Sequence, residues 1–379
     1  QHPLTGHLGL GHCLACETLI QLSDGRAVRI DSIEGEVSVV AFDPTTRSLV
    51  QRRAKAWAHA APEQLLQIQI PFGTIACTPQ HRLFSVDEDG RHVEKRADKI
   101  RPGDVLIHAR AWKASGIPMT FQPVAAPRYY RLSDGARAVL RHEVSRVGSA
   151  GTAELAGVTA ASVYHLWDRD RNASEAVLRP LTEFLGLLFP LQDSEPIDSR
   201  HGNFVRFPTQ SSPDVLQWIG YLLGDGHVGP RAIRFKDTEP ETLAVYQRLS
   251  GVCFNVSGRL VPLREAHAHL LALNSIGLAD WVRANVLARR AQFLDEVGAL
   301  PAQQLAAFLR GLFDAEGTVA RQAGQIALAM TDLELMRRLQ FWLLRFGILG
   351  SLRYEEAALR WRRPKPALKL LVSRHDAVV

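Results

Sequence analysis

The sequence predicts a multidomain α+β protein with an all-β module near its beginning, a small helical unit in its middle and a repeated unit of helices and strands at its end. Three observations predict this class: a series of short alternating apolar segments, a helix-turn-helix spacing, and one helical pattern that occurs twice, about ninety residues apart. The predicted boundaries are a terminal segment 1–12, the β module 13–112, a linker 113–130, the helical unit 131–188, a second linker 189–212 and the repeat region 213–379.

Length and composition agree with several folded modules. The chain has 379 residues with 46% hydrophobic content, enough to bury two or three cores. No apolar run approaches the length of a membrane span and no signal peptide opens the chain, so we expect a soluble, cytoplasmic protein with no membrane partner. The formal charge of +6 permits a polyanionic partner.

The β module begins with alternating apolar residues from Cys13 that end in an Asp24-Gly25 hairpin turn. Further strands are predicted at 37–42, 65–70, 74–77 and 105–107. Cys13 and Cys16 form a C-x-x-C pair, which is compatible with a redox pair or half a zinc site. No second pair follows, and a strand is the wrong context for a thioredoxin-like helix. Cys77 and Cys253 are expected to be small core residues.

Two motifs in this module resemble the splicing blocks of inteins. Cys13-Leu-x-x-x-Thr18 and Thr78-x-x-His81, followed by a turn at 101–104, are similar to the Hint module. The resemblance implies that Cys13 attacks the carbonyl of His12 to form a thioester, that Thr78 positions this bond and that His81 protonates the departing nitrogen. Residues 1–12 would then end a host protein, whose flanking exteins are partners in cis. The alternative is a buried cysteine and a turn-stabilising histidine in an ordinary β domain.

The resemblance is incomplete at the C-terminal side. Inteins finish splicing with a His-Asn ending followed by a nucleophile, and they have two more Hint strands after the inserted endonuclease. This sequence reaches residue 379 without them. We therefore expect thioester chemistry at Cys13 without ligation.

The helical unit has the spacing of a helix-turn-helix. Ala153 is where the two helices would touch, Gly157 lies in the turn, and Val158 and Val163 are apolar anchors. The stretch resembles a repressor-type DNA-binding domain. The candidates for DNA contact on its second helix are Ser162, Tyr164 and His165. The alternative is a purely structural helical bundle.

The repeat region is predicted from a helical pattern at 216–226 that returns at 308–317, with apolar residues three and four apart. Small residues occur four apart on one face of each copy, at Gly220 and Gly224 and at Gly311 and Ala315. This predicts that the two helices pack closely together. Each copy ends in a glycine, Gly226 or Gly317, expected to close the helix in the left-handed conformation.

An acid precedes each terminal glycine, Asp225 in the first copy and Glu316 in the second. A negative charge in the last turn is disfavoured by the helix dipole, so we expect a cation there. With the carbonyls of Gly224 and Ala315, the two acids would make an all-oxygen site suited to Mg²⁺ and to phosphodiester hydrolysis. The alternative is two buried helices with acidic caps.

Residues 218–226 and 309–317 resemble the two namesake motifs of a monomeric LAGLIDADG homing endonuclease. The resemblance implies a pseudo-two-fold αββαββα saddle, with strands at 232–235, 270–275, 325–330, 352–354 and 367–372. It also implies Mg²⁺-dependent double-strand cleavage of the host allele that lacks the intein. The candidates for contact with double-stranded DNA are Arg234, Lys236, Arg353, Arg360, Arg362, Arg363, Lys365 and Lys369.

Together these patterns predict an intein-type bifunctional protein, with a Hint module, an inserted helix-turn-helix and a homing endonuclease acting as a monomer. Two alternatives remain: a self-processing Hint protein without nuclease activity, and a helix-turn-helix regulator. The regulator would leave the two acids at 225 and 316 unexplained.

Overall fold

The computed structural model describes residues 13–58, 64–114, 116–124, 129–197, 205–263, 267–320, 324–355 and 367–373. They divide into two compact units. The first contains 1–119, 291–309 and 316–379, and the second contains 120–290 and 310–315. Within the described ranges, no helix is both long and apolar enough to cross a membrane.

The module at 13–112 is built from strands and single 3-10 turns, as predicted. Its strands are β1 Leu19–Gln21, β2 Ala27–Arg29, β3 Glu36–Asp43, β4 Ser48–Lys55, β5 Leu66–Ile70, β6 Gly73–Cys77, β7 Arg82–Val86, β8 His92–Arg96 and β9 Val105–Leu106. They pair antiparallel as β1-β2, β3-β4, β5-β6 and β8-β7-β9. The predicted turn between β1 and β2 contains Gly25 at φ 114°, a conformation that glycine adopts without strain.

The first unit joins this module to the end of the chain. A Cβ on Gly25 would lie 2.5 Å from the carbonyl oxygen of Gly298, so two backbones meet there. At the β5-β6 turn, Ser351 Oγ donates to the carbonyl oxygen of Pro71 at 2.6 Å, and Gln340 Nε2 donates to that of Phe72. The β module therefore packs against the second copy of the repeat.

The helical unit has four helices and a small sheet. They are β10 Tyr129–Leu132, α1 Asp134–Val147, α2 Ser149–Leu155, α3 Ala160–His165, β11 Ala173–Ser174, α4 Glu175–Phe184 and β12 Ser194–Ile197, with the strand order β11-β10-β12. Gly157, between α2 and α3, has φ 65°. Ala153 and Val163 are buried in one apolar core with Leu140, Leu178 and Leu181.

Both segments predicted as linkers contain ordered structure. Strand β12 lies within 189–212 and pairs with β10. Phe121, within 113–130, is 3% exposed and contacts Trp281 with ring centroids 4.8 Å apart. Asn285 accepts from the backbone N–H of Gln122 at 2.6 Å and donates to its carbonyl at 3.1 Å. The proline-rich composition of these segments breaks helices, but it does not prevent an extended chain from being anchored.

The first copy of the repeat belongs to the second unit. It contains α5 Pro213–Asp225, β13 Gly226–Val228, β14 Ile233–Asp237, α6 Pro240–Phe254, β15 Arg259–Leu263, β16 Ala268–Leu273 and α7 Ile276–Val282, and the strand order is β13-β14-β16-β15. A π-helical turn over Arg283–Leu287 follows α7. Trp218, Tyr221 and Phe235 are fully buried in its core.

The second copy repeats this order. After α8 Arg290–Ala299 come α9 Ala302–Glu316, β17 Gly317–Ala320, β18 Gln325–Met330, α10 Leu333–Leu344, β19 Gly350–Glu355 and β20 Ala367–Val372, in the strand order β17-β18-β20-β19. Phe308 and Trp342 meet edge to face in its core, with ring centroids 5.6 Å apart. Each copy thus has one helix leading into a four-stranded antiparallel sheet with a second helix between its hairpins.

The predicted close approach of the repeated helices is present. A Cβ on Gly311 would lie 1.9 Å from the carbonyl oxygen of Gln217 and 2.8 Å from the backbone nitrogen of Tyr221. Only glycine permits this backbone contact between α9 and α5.

The predicted left-handed closure at Gly226 is wrong. Gly226 has φ −89° and ψ 141°, because the chain continues directly from α5 into β13. A Cβ at this position would lie 2.4 Å from the carbonyl oxygen of Leu222. Any larger residue would clash there, which explains why this position is a glycine. Gly317 likewise begins a strand, β17, rather than a left-handed cap.

Candidate functional site

Asp225 is the last residue of α5 and is exposed. Gly226 pairs with Phe235 across β13 and β14, which brings Asp225 to the level of Lys236. Partial burial of the Asp225 carboxyl and the negative charge of Asp237 raise its pKa above the ordinary value, and Lys236 opposes them. The ionised form of this carboxyl is therefore less favoured than in a free aspartate.

A hard cation would relieve this unfavourable charge. Carboxylate oxygens are the ligands that Mg²⁺ prefers, and a nearby positive charge favours the ionised form of an acid. The chemistry of Asp225 and its surroundings therefore fits the predicted metal. In the described ranges no three His, Cys, Asp or Glu side chains are grouped to hold a metal ion, so carbonyls or water would have to complete the coordination.

Glu316 is the last residue of α9 and is half-buried. It lies immediately before β17, as Asp225 lies immediately before β13. The two acids thus have the same place in the two copies of the repeat. Asp225 belongs to the second unit and Glu316 to the first.

The sheet of the first copy has a basic face. Arg234 and Lys236 are exposed on β14, whereas Ile233 and Phe235, which alternate with them, are fully buried. Arg234 and Arg259 both lie opposite Ala272, on either side of it, so these two arginines share the exposed face. On that face, Arg234 and Lys236 lie on the inner strand β14 and Arg259 lies on the edge strand β15, with Leu270 and Ala272 of β16 between the two strands.

The sheet of the second copy has fewer described basic residues. Arg353 lies opposite Lys369 on neighbouring strands β19 and β20. Four predicted DNA contacts, Arg360, Arg362, Arg363 and Lys365, lie outside the described residues.

Cys13 and Thr78 are hydrogen-bonded to each other in the β module, and His81 lies in the same turn as Thr78. The backbone N–H of Cys13 donates to Thr78 Oγ1 at 3.0 Å, and the backbone N–H of Thr78 donates to the Cys13 carbonyl at 2.9 Å. The N–H of His81 donates to the Thr78 carbonyl at 3.0 Å. Cys13 is a free, partly buried cysteine. This hydrogen-bonded loop holds the start of the described chain against the 78–81 turn.

The three candidates on α3 differ in exposure. Tyr164 is 59% exposed, His165 is also exposed, and Ser162 is half-buried. Thr159 caps the helix by accepting from the N–H of Ser162 at 3.2 Å. Arg171 Nη1 lies 2.8 Å from His165 Nδ1, so this ring already has a neighbour that carries positive charge.

Arg259 was missed from the sequence, because β15 was not predicted. Pro262 lies inside that strand, and proline argues against a strand in the middle of a sheet. β15 is an edge strand, where a missing N–H is tolerated. The apolar pair Leu260 and Val261 directly after Arg259 was the signal that could have indicated a strand.

Comparison with known proteins identifies part of the chain. Residues 303–377 match the family model described as a LAGLIDADG-like domain. The chain is 32% identical over 386 residues to glutamine–fructose-6-phosphate aminotransferase of Methanocaldococcus jannaschii, an alignment that covers 98% of this chain and 34% of that protein. It is 25% identical over 399 residues to elongation factor 2 of Methanopyrus kandleri, in an alignment that covers 94% of this chain and 31% of that protein.

The chain therefore spans about a third of the length of these curated relatives. Among solved structures, it is similar to variants of the homing endonuclease I-DmoI, with 13% identity, a TM-score of 0.34, and coverage of 44% of this chain and 91% of that one.

Proposed function

We propose that this chain is a divalent-metal-dependent endonuclease of the LAGLIDADG type, which cuts both strands of double-stranded DNA at a specific site. One observation carries the proposal: in each copy of the repeat, a helix that ends in an acid leads directly into a four-stranded sheet. The match of residues 303–377 to a LAGLIDADG-like domain supports it.

In the proposed mechanism each acid serves one DNA strand. Asp225 with the carbonyl of Gly224 would hold one Mg²⁺, and Glu316 with the carbonyl of Ala315 would hold another. The bound metal would stabilise negative charge on the phosphate and acidify the attacking water. Arg234, Lys236 and Arg259 would bind phosphates and base edges from the exposed face of the first sheet, and Arg353 and Lys369 from the second.

The test begins by selecting a cleavable duplex from a randomised plasmid library with the wild-type protein and Mg²⁺. Wild type should linearise the selected supercoiled plasmid, and chelation of the metal should stop the reaction. Asp225→Asn and Glu316→Gln should each lose linearisation, with a nicked product, because one metal ligand is removed. DNA affinity measured in Ca²⁺ should be retained, since neutralising an acid also relieves repulsion from the phosphates.

The matched control is Asp214→Asn, at the opposite end of α5 from Asp225. This exposed first-turn acid should have no effect on cleavage. If both acid variants linearise the plasmid at the wild-type rate, Asp225 and Glu316 are helix caps and the proposal is wrong.

A second activity is favoured by the hydrogen bonds between Cys13 and Thr78. We propose that the β module is the N-terminal part of a splicing domain, in which Cys13 Sγ attacks the carbonyl carbon of His12. The thiol loses its proton as the C–S thioester bond forms, the C–N bond between residues 12 and 13 breaks, and His81 gives a proton to the released amine. Thr78 holds the backbone of Cys13 in place for this exchange.

The comparisons support an inserted element. The two curated relatives share nearly all of this chain, over less than 35% of their own lengths, yet they carry unrelated names. A segment that occurs in proteins of unrelated function is typical of an intein. The host protein, present on both sides of the segment, would be the partner in cis.

A further inference from the structure

Two buried tyrosines stack on each other in the second unit. Tyr221 of α5 and Tyr246 of α6 are fully buried, with ring centroids 3.8 Å apart. Each hydroxyl donates to an aspartate, Tyr221 to Asp237 at 2.8 Å and Tyr246 to Asp314 at 2.6 Å. Burial raises the pKa of both tyrosines, so the hydroxyls stay protonated and donate.

The two aspartates lie on the elements that carry the two acids. Asp237 ends β14, and it directly follows Lys236, which the strand register places at the level of Asp225. Asp314 lies on α9, two residues before Glu316 on the same helix. Gln217 Nε2 of α5 also lies 3.5 Å from Asp314 Oδ2. Tyr221 is therefore hydrogen-bonded to β14, the strand beside Asp225, and Tyr246 is hydrogen-bonded to α9, the helix that ends in Glu316.

This polar arrangement is not required by the repeated fold. When Asp225 is aligned with Glu316, the counterpart of Tyr221 is Leu312, and the counterpart of Asp314 is Leu223. Both leucines are buried in their own copies. A leucine therefore suffices for packing where the chain has Tyr221 and Asp314. The hydrogen bonds that these two residues make need a further explanation.

We propose that Tyr221 and Tyr246 are positioning residues, each orienting one acid for one DNA strand: Tyr221 acts through Asp237 on Asp225, and Tyr246 acts through Asp314 on Glu316. This inference rests on the proposed endonuclease function. A hydrogen bond to a charged acceptor fixes geometry, and small displacements of a catalytic group slow a reaction strongly.

The test measures cleavage of each strand separately, on a duplex labelled at one end of either strand. Asp225→Asn and Glu316→Gln first assign one strand to each acid. Tyr221→Phe should then slow cleavage of the strand assigned to Asp225 by roughly tenfold, and cleavage of the other strand by less than about twofold. Tyr246→Phe should show the reverse. Asp314→Leu, which restores the residue of the first copy, should behave like Tyr246→Phe.

Ser250→Ala is the matched structural control. Ser250 Oγ accepts from Trp218 Nε1 at 2.9 Å, so this variant removes another buried hydrogen bond between α5 and α6. It should lower stability without changing the ratio of the two strand rates. Phenylalanine keeps the ring stack, so both tyrosine variants should fold.

The outcomes separate the two proposals. Absence of metal-dependent cleavage by wild type would contradict the endonuclease function itself. If wild type cuts but both tyrosine variants slow the two strands equally, or not at all, the positioning role is wrong and the endonuclease stands. Loss of cleavage of both strands in either acid variant would also overturn the positioning role, because that role requires one acid for each strand.

Discussion

Cys13 and Cys16 are three residues apart, yet their surroundings differ. The backbone of Cys13 is hydrogen-bonded to Thr78 in both directions. Cys16 is exposed, and its Sγ lies 3.2 Å from Glu17 Oε2. That hydrogen bond raises the pKa of the Cys16 thiol, which makes this thiol a weaker nucleophile at neutral pH. Of the two cysteines, Cys13 is the one that is hydrogen-bonded to Thr78, as the proposed acyl transfer requires.

Excess small thiol should therefore release the peptide of residues 1–12 from wild type, because the thiol intercepts the thioester at Cys13. Cys16→Ala should release the same peptide, whereas Cys13→Ala should release none. Mass spectrometry of the intact chain and the peptide gives the measurement. Equal release from Cys13→Ala, or an intact wild-type chain after prolonged exposure, would contradict the proposed chemistry.

At the residue scale, the sequence predicted side chains that belong to short motifs and missed those whose partners are distant in sequence. Cys13, Thr78 and His81 were predicted from two motifs, and the structure shows hydrogen bonds between Cys13 and Thr78, while the chemical roles of all three stay predictions. The pairing of Tyr246 with Asp314 spans 68 residues. No local spacing indicates such a contact, because it depends on how α6 and α9 pack.

The contact between α5 and α9 depends on the absence of one side chain. Gly311→Ala should lower the free energy of unfolding of the second unit by about 1–3 kcal/mol. The added methyl group would overlap backbone atoms of Gln217, which cannot move independently. Denaturant unfolding followed by circular dichroism gives the free energy of unfolding.

Gly251→Ala is the matched control. Gly251 lies inside α6, and a Cβ there would meet no atom within 4 Å. Alanine should raise the helix stability by about 0.5–1 kcal/mol. Similar free energies of unfolding for the two variants would mean that α9 does not approach α5 as closely as described.

At the element scale, apolar alternation predicted the central strands well. The predicted strands 325–330 and 367–372 coincide with β18 and β20. Strands β13 and β17 were missed because each continues from a helix without a loop and contains only three or four residues. The same continuity explains why Gly226 was wrongly expected to be a left-handed cap.

The helical unit is a separate compact part of the second unit, with its own core. If α3 contacts DNA, Tyr164→Ala with His165→Ala should shorten the protected footprint on one side and weaken binding several-fold, while cleavage at high protein concentration survives. The salt dependence of DNA affinity should change little, because the substitutions remove no arginine or lysine. The two nearby arginines, Arg169 and Arg171, stay in place, ion-paired with Asp134 and Asp168.

Phe184→Ala is the control for this change, because Phe184 is 38% exposed on α4 rather than on α3. Nuclease protection on the selected duplex is the measurement. An unchanged footprint in the Tyr164 and His165 variant would make the unit a structural insertion.

The division of the chain has a consequence for synthesis on the ribosome. The first unit takes its strands from both ends of the chain, and Gly25 and Pro71 meet partners at Gly298 and Ser351. Domains usually fold in the order in which they are translated, but here the β module must wait for the second copy of the repeat. The second unit has all its residues once position 315 has been made. The part of the chain that contains Cys13 is thus translated before the second unit but completed after it.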